Sequence, residues 1–342
     1  MSKTVKNWLI AALALILAGA AMFTTALALC GWDITKLGTV DYVETTLEPS
    51  GDFENISINV YTTDLRLLPS EDGKCRIVCY EDEKISHTAE VKDGTLVIDT
   101  NDTRKWFTVS LSFKSTTMEV YLPKSEYEYL DIRTDTGAVY LPNNCTFESI
   151  NIDGNTGAVS CHSSAKGDVD IELDTGALVV SNVSAGSMKL KTDTGIIELS
   201  GSTVAENIDV ASATGFVSLE NITCVSLRAK ADTGRVSLDG VTCSDLHAET
   251  DTGSIALENV VGSGKFELIS DTGHIDLNGC DAAELYIETD TGSVSGELLT
   301  DKIFFAESDT GRVSVPKSMT GGRCEIKTDT GSIEMEVRGK QE

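Results

Sequence analysis

The chain has 342 residues, of which 54 are acidic and 27 basic, so its formal net charge at pH 7 is −27. This excess of negative charge repels phosphate backbones and anionic lipid headgroups, and it excludes nucleic acid as an expected partner. The length would allow two ordinary domains, but an internal repeat can occupy all of it.

The N-terminus has the pattern of a membrane segment. An uncharged, mostly apolar run extends from Trp8 to Trp32, long enough to cross a bilayer as a helix. Lys3 and Lys6 precede the run and favour a cytoplasmic N-terminus, so residues 1–7 form a short cytoplasmic stub. The sequence therefore predicts a single-pass protein of the cell membrane whose C-terminal region is extracellular.

A cleaved signal peptide is the alternative interpretation of this segment. Ala26-Leu27-Ala28 has the small-x-small pattern of a cleavage site. Lipoprotein cleavage before Cys30 fits less well, because Leu29 is bulky where such a site carries a small residue. We interpret Cys30 as an apolar residue of the span, and whether the segment is cleaved stays open.

Residues 33–125 lack a strict period but alternate like strands. We expect them to form a β-rich cap, since the open end of a stacked β-structure would invite aggregation. A degenerate first coil is predicted at 56–67, and a hairpin turn at Asp93-Gly94. Further strands are predicted over 75–80, 87–91, 95–99, 108–113 and 117–122.

One basic and aromatic cluster interrupts this acidic region: Arg104, Lys105, Trp106 and Phe107. If the cluster is exposed, it could contact a partner protein or a glycan. The alternative is that Trp106 packs beneath the cap as part of its core.

From residue 126 to the C-terminus the sequence repeats with a period of 19 or 20 residues. Each repeat contains a Thr-Gly pair, and in nine of the eleven repeats an Asp precedes it. The eleven glycines are Gly137, Gly157, Gly176, Gly195, Gly215, Gly234, Gly253, Gly273, Gly292, Gly311 and Gly331.

Apolar residues alternate with polar ones on both sides of each Thr-Gly pair, which is the pattern of strands with one buried face. The positions five and three residues before the Asp are apolar in all eleven repeats, as is the second position after the Gly. One repeat cannot bury this face alone, but stacked repeats form a continuous core. The sequence thus predicts an all-β fold, a parallel β-solenoid of about eleven coils over 126–342 and about 50 Å long.

The Asp-Thr-Gly corner suggests a turn rather than a catalytic site. Glycine tolerates positive φ, and the Asp could accept backbone N–H groups just ahead in an Asx-turn. Asp-Thr-Gly is also the aspartic protease signature, but a single file of corners does not form the facing carboxylate pair that those enzymes need.

Stacked carboxylates at strand spacing repel one another, and a calcium ion would relieve that repulsion. The alternative is a solvated ladder screened by salt, which we favour because the dense Asp and Gly spacing of calcium-binding nonapeptide repeats is missing. No other cofactor is expected. The weak calcium candidates are Asp232, Asp251, Asp271, Asp290 and Asp309.

Nine cysteines outside the cytoplasm raise the question of disulfides. Cys75 and Cys79 lie four residues apart on one strand, about 13 Å along it, too far to bond without a bend. Cys224 and Cys243 occupy the same repeat position in neighbouring coils. They could form a buried thiol pair or a disulfide.

No catalytic motif is found. The four histidines, His87, His162, His247 and His274, are scattered and show no metal-ligand spacing. Nucleophile elbows and phosphate-binding glycine loops are missing as well. We therefore expect that the protein is not an enzyme.

The segments that follow the membrane run resemble the bacterial putative-adhesin family of β-strand-repeat domains of unknown function. The segments that carry the resemblance are Tyr80–Lys84, Val91–Leu96, Trp106-Phe107, Val120–Pro123 and Thr134–Gly137. The resemblance covers nearly all of the chain after the membrane segment and implies an envelope protein without assigned catalytic residues.

Three functions remain as hypotheses. The first is a non-catalytic surface module, an adhesin or envelope-binding protein, that presents a long face to a cell-wall polymer, a partner protein or another cell. The second is an envelope-stress component that acts through a membrane-protein partner. The third, which the sequence favours least, is a polysaccharide-active β-helix enzyme.

Overall fold

The computed structural model describes residues 2–37, 42–104 and 116–338. The first element is helix α1 (Lys3–Leu29), which is followed by a 3₁₀ helix (Ile34–Leu37). Residues Val5–Leu29 are long and apolar enough to cross a membrane, and none of this stretch is buried. The predicted span of 8–32 ends three residues early, because Gly31 and Trp32 adopt left-handed φ values of 70° and 63°.

Seven strands precede the strict repeat, and four of them coincide with strands predicted over 75–80, 87–91, 95–99 and 117–122. The predicted strand at 108–113 lies outside the described residues. The seven strands are β1 (Val43–Leu47), β2 (Asn55–Val60), β3 (Asp64–Pro69), β4 (Arg76–Glu81), β5 (Ile85–Lys92), β6 (Thr95–Asp102) and β7 (Thr117–Leu122).

The strict repeat forms strands that stack in parallel. They are β8 (Glu126–Leu141), β9 (Thr146–Cys161), β10 (Ser164–Ala165), β11 (Asp168–Ser181), β12 (Ser184–Ala185), β13 (Ser187–Ser200), β14 (Thr203–Val204), β15 (Asn207–Glu220), β16 (Ser226–Asp239), β17 (Thr242–Cys243), β18 (Asp245–Thr252), β19 (Ile255–Glu258), β20 (Val261–Gly262), β21 (Lys265–Thr272), β22 (Ile275–Cys280), β23 (Glu284–Thr291), β24 (Val294–Leu298), β25 (Lys302–Thr310), β26 (Val313–Ser314), β27 (Gly322–Thr330) and β28 (Ile333–Val337).

The fold is a parallel β-solenoid, and the repeat sets its register. In the central coils, each residue pairs with the residue one repeat away, as Ile171 pairs with Leu190 and Leu190 with Val210. The aliphatic columns on both sides of the corner line one continuous core. Stacking equivalent apolar residues removes their surfaces from water, and this burial stabilises the folded state by about 25 cal/mol per Å² of apolar area.

A second turn between coils alternates between asparagine and glycine. Asn182, Asn221 and Asn259 have φ values of 54–56°, and each is followed one repeat later by a glycine at 59–65°. A Cβ on the glycine would lie 2.7–3.2 Å from the Oδ1 atom of that asparagine. The turn therefore repeats every two coils, since the asparagine side chain occupies the space above a glycine.

The stacking order differs from the chain order at the C-terminal end. The last coil, β27 and β28, pairs with β23 and β24 on one side and with β25 and β26 on the other. The coil of β25 and β26 is therefore outermost. It is also the least regular, since β26 has only two residues and Phe305 is 52% exposed. The regular last coil fills the interior position, where good packing stabilises most.

The N-terminal end is arranged in the same way. The predicted first coil, β2 and β3, pairs with β8 on its inner side. On its outer side lie β6 and β7, which come later in the chain. Three antiparallel strands complete this end: β4 pairs with β7, β1 with β4, and β5 with β6. The antiparallel strands end the parallel stack, so the solenoid does not present an open parallel edge to which another chain could add a strand.

Candidate functional site: the corner file and the two strand faces

The Thr-Gly corners form a single file along the solenoid. The file runs in chain order from Gly137 to Gly292, then to Gly331 and finally to Gly311. In all ten later positions, a Cβ added to the glycine would lie 1.5–1.9 Å from the carbonyl oxygen of the corner glycine beside it. Glycine is required mainly because of this close approach, and the positive φ, 144–156° at eight of the corners, adds to the requirement.

A buried column of hydroxyls lies one residue before the Asp position. Eight of the eleven repeats carry Ser or Thr there, and this column was not recognised in the sequence. The signal that could have revealed it is the strict recurrence of Ser or Thr on the inward-facing register. Five of these hydroxyls donate to a neighbouring corner-glycine carbonyl at 2.9–3.3 Å: Thr250, Ser270, Thr289, Ser308 and Thr328.

The corner aspartates do not make the predicted Asx-turn. Within the described ranges, no corner Asp carboxylate accepts a backbone N–H. The amides that follow are already used between coils, as when Gly253 N donates to Thr272 O at 2.9 Å. The carboxylates instead point outward, and three of them contact lysines, as Asp232 does with Lys230 Nζ at 3.3 Å.

The calcium candidates lie along this exposed file. Asp309 is next to Asp329 rather than Asp290, because the outermost coil is out of chain order. Among the residues that the structure describes, only Cys79, Glu81 and His87 bring three potential ligand atoms within 4.8 Å of one another. Calcium at Asp232, Asp251, Asp271, Asp290 and Asp309 stays a prediction, and an unchanged melting temperature on adding a chelator would contradict it.

The outward residues of the strands before the corner form what we call the charged face. Lysines and carboxylates of neighbouring coils pair along it: Lys189 with Asp170 at 3.2 Å, and Lys191 with Glu172. His247 lies 3.1 Å from both Glu249 and Glu267, and Lys230 lies 3.0 Å from Glu249. Ion pairs between coils therefore neutralise part of the charge on this face.

The outward residues of the strands after the corner form a different surface, which we call the low-charge face. Between β8 and β15 it presents mainly Ala, Ser and larger apolar side chains in register, with Ile196 beside Phe216 and with two carboxylates, Glu198 and Glu220. Tyr140 is 38% and Ile196 44% exposed. A groove of about 440 Å³ opens at the N-terminal end of this face; its lining includes Asp64, Arg66, Leu68, Tyr140, Ala158 and Ser160.

Comparison with known proteins agrees with this architecture. The Toastrack DUF4097 family model matches residues 53–225 and 202–342. The chain belongs to the Toastrack DUF4097 family. No curated protein matches the chain in sequence.

Three crystal structures with a similar fold come from the genus Parabacteroides. The "putative adhesin" from Parabacteroides distasonis is 11% identical with a TM-score of 0.43, covering 87% of this chain and 98% of its own. That from Parabacteroides merdae is 11% identical with a TM-score of 0.42, covering 87% and 97%. A "putative lipid binding protein" from Parabacteroides distasonis is 12% identical with a TM-score of 0.38, covering 87% and 98%.

The predicted partner-contact cluster is only partly described in this Toastrack chain. Arg104 donates from Nε to Asp102 at 2.9 Å, so its charge is paired. Lys105, Trp106 and Phe107 lie outside the described residues. The cluster stays a prediction.

All nine cysteines are free thiols, and eight of them are buried. Burial raises the pKa of Cys224 to about 11 and that of Cys243 to about 12. Both therefore stay protonated at neutral pH, and of the two alternatives for this pair the structure contains the buried thiols. The corner carboxylates lie along one open file, so among the described residues they do not form the facing pair of an aspartic protease.

Proposed function

We propose that this Toastrack protein is a non-catalytic binding module that is anchored in the cell membrane and displayed on the outside of the cell. The anchor is α1, which is apolar and uncovered over Val5–Leu29. Lys3 and Lys6 precede the apolar run, whereas the rest of the chain is strongly acidic. By the positive-inside rule this asymmetry supports a cytoplasmic N-terminus and an extracellular solenoid.

The low-charge face is the binding surface in this proposal, and one observation carries it. The chain has a net charge of −27. In the coils from β8 to β15, however, the outward residues that follow the corner form a strip of low charge that includes Tyr140, Val179, Ile196 and Phe216. Contiguous exposed apolar surface on a soluble region marks an interaction site. The charged face is less suited, since many of its side chains are charged and pair with one another.

The expected ligand is a neutral polysaccharide of the cell envelope. Sugar rings stack on aromatic and aliphatic side chains, and the serines of this face supply hydroxyl partners at the coil spacing. Anionic polymers are disfavoured, because the rest of the surface repels them. A regular ladder also suits a polymer better than a small molecule, since equivalent positions recur about every 4.8 Å.

The test is cosedimentation of the full chain, held in detergent, with insoluble neutral wall polysaccharide. The double variant Ile196→Ser with Phe216→Ser should bind at least tenfold more weakly than the wild type. Phe305→Ser is the control, because Phe305 is a large apolar residue that is more exposed than Ile196 or Phe216 but lies on the charged face. Equal binding by the double variant and the wild type would contradict the proposal, as would specific recovery of a membrane protein in place of polysaccharide.

A further inference from the structure

The N-terminal cap contains a cluster of side chains that neither the solenoid architecture nor the proposed binding face requires. Cys79 and Glu81 lie two residues apart on β4 and therefore point to the same side of the strand. A turn leads into β5, with Asp82 Oδ1 accepting from Lys84 N at 2.6 Å and from Ile85 N at 2.8 Å. This turn directs His87 toward the other two side chains.

The His87 imidazole is buried without hydrogen bonds. Its side chain is 1% exposed, and neither Nδ1 nor Nε2 has a hydrogen-bond partner in the described structure. Glu81 Oε1 lies 3.6 Å from Nδ1, too far for a hydrogen bond. Buried polar atoms are nearly always paired, so two orphaned nitrogens in one ring point to a missing ligand.

A second orphan lies beside the first. Thr100 is directly opposite His87 in the antiparallel pair of β5 and β6. Residues that are directly opposite share a face of the sheet. The Thr100 hydroxyl is also buried and lacks a partner.

The atoms that surround this position match the donors of a transition-metal ion. Potential ligand atoms of Cys79, Glu81 and His87 all lie within 4.8 Å of one another. In a tetrahedral zinc site with bonds of about 2.0–2.1 Å, two N or O ligands stand roughly 3.4 Å apart. The Nδ1 to Oε1 distance of 3.6 Å is close to that separation.

We propose that Cys79, Glu81 and His87 bind one Zn²⁺ ion and that the fourth position is taken by a water that the Thr100 hydroxyl contacts. The mixed sulfur, nitrogen and carboxylate set suits zinc and does not suit calcium or magnesium, which take oxygen ligands. On binding, the Cys79 thiol loses its proton to solvent and coordinates as the thiolate; no electron is transferred.

The ion would tie together the strands of the cap. It would link β4 to β5 directly, and it would hold β1 through Glu81, whose Oε2 accepts from Thr45 Oγ1 at 3.0 Å. β1 is the first strand after α1, so the site would brace the end of the solenoid that is closest in sequence to the membrane segment. This role is independent of the low-charge face.

The experiment uses the full chain in detergent, stripped of metal and kept reduced. Added Co²⁺ should give a thiolate-to-cobalt absorption band at one ion per chain, and Zn²⁺ should remove the band and raise the melting temperature. His87→Gln and Cys79→Ser should each weaken Zn²⁺ binding at least tenfold. Cys75→Ser and His274→Gln are the matched controls and should bind as the wild type does.

Two results would overturn the proposal. One is folded wild-type protein that shows neither the cobalt band nor a zinc-dependent rise in melting temperature. The other is zinc binding that is unchanged in both His87→Gln and Cys79→Ser, because the ion would then lie elsewhere. The wild-type spectrum decides the question even if a variant fails to fold.

Discussion

At the corner of each coil, a glycine brings its own backbone against the carbonyl oxygen of the neighbouring coil. At Gly195, two effects oppose a side chain: φ is +155°, and a Cβ would lie 1.7 Å from Gly176 O. At Gly292 the left-handed φ is not present, but a Cβ would still lie 1.7 Å from Gly273 O. The two positions therefore separate backbone strain from collision between coils.

We expect Gly292→Ala to destabilise the solenoid by about 3 kcal/mol or more, because the collision forces neighbouring backbones apart, and Gly195→Ala to destabilise it further, because its positive φ adds backbone strain. Guanidinium unfolding followed by circular dichroism measures the effect. Ala213→Asp, which restores the common corner residue at an open position, is the control and should change little. Wild-type stability of Gly292→Ala would show that backbone conformation alone selects glycine.

The hydroxyl column offers a second pair of positions with the same chemistry and different partners. Thr289 donates to Gly273 O at 3.1 Å, whereas the Thr192 hydroxyl is buried without a hydrogen-bond partner. We expect Thr289→Val to cost about 1 kcal/mol and Thr192→Val to be neutral or stabilising, since it removes an unpaired polar atom. Equal losses in the two variants, measured by thermal unfolding, would contradict this account of the column.

The residue scale also shows what could be predicted from the sequence. The eleven corners and their flanking aliphatic columns could be predicted from the sequence, because the same type of residue recurs at the same position of each repeat. His87 could not be placed with Cys79 and Glu81, since their approach depends on a turn and on packing within an irregular cap. The Asx-turn prediction failed because the amides that it needed pair with the next coil.

At the scale of the element, each outward-facing residue of a strand lies beside the equivalent residues of the two neighbouring coils. On the charged face, hydrogen bonds from Lys265 and His247 lower the pKa of Glu267. Burial acts to raise the pKa of Glu249, but hydrogen bonds from His247 and Lys230 hold it below its usual value. A lowered carboxylate pKa means that folding favours the ionised form, so this stabilisation is present above pH 4.5 and is lost as the pH falls through the folded-state pKa.

Lys230→Met tests these ion pairs. Lys230 pairs with Glu249 and Asp232, so the variant should lose up to about 1 kcal/mol at pH 7. The difference from wild type should shrink as the pH falls below 4.5 and through the lowered pKa of Glu249. Arg235→Met on the low-charge face is the control, because Arg235 has no ion pair within the described residues. A difference in melting temperature that does not depend on pH would contradict the assignment.

The sequence predicts that the charged residues of these strands face solvent, but it does not predict their ion pairs. The sequence shows which residues alternate outward, but not that Lys189 and Lys191 of one coil meet Asp170 and Glu172 of the coil before it. That contact depends on the register between coils, which the structure supplies. The low-charge face was not predicted either. Each strand contributes only one or two residues to it, so the face becomes visible only when the register between coils is known.

At the scale of the whole molecule, the solenoid is closed at both ends by coils that are out of chain order. The coil of β6 and β7 lies outside that of β2 and β3, and the coil of β25 and β26 lies outside that of β27 and β28. The repeat pattern does not predict this, because equivalent coils present the same aliphatic columns and any of them fits beside any other. Which coil is outermost depends on how much stability each coil loses when one of its sides is exposed to solvent.

The most direct measurement is cross-linking of cysteines introduced at the far end of the corner file. Ser293 and Ser332 are neighbours, with hydroxyl oxygens 3.3 Å apart, whereas Arg312 occupies the next coil out. Adjacent coils place Cα atoms about 4.8 Å apart, within disulfide range, and coils two apart place them beyond it. In the full chain under mild oxidation, Ser293→Cys with Ser332→Cys should form a disulfide, detected by mass spectrometry, and Ser293→Cys with Arg312→Cys should not. The reverse result would show that the coils stack in simple chain order and would contradict the order of the corner file, in which Gly331 lies between Gly292 and Gly311.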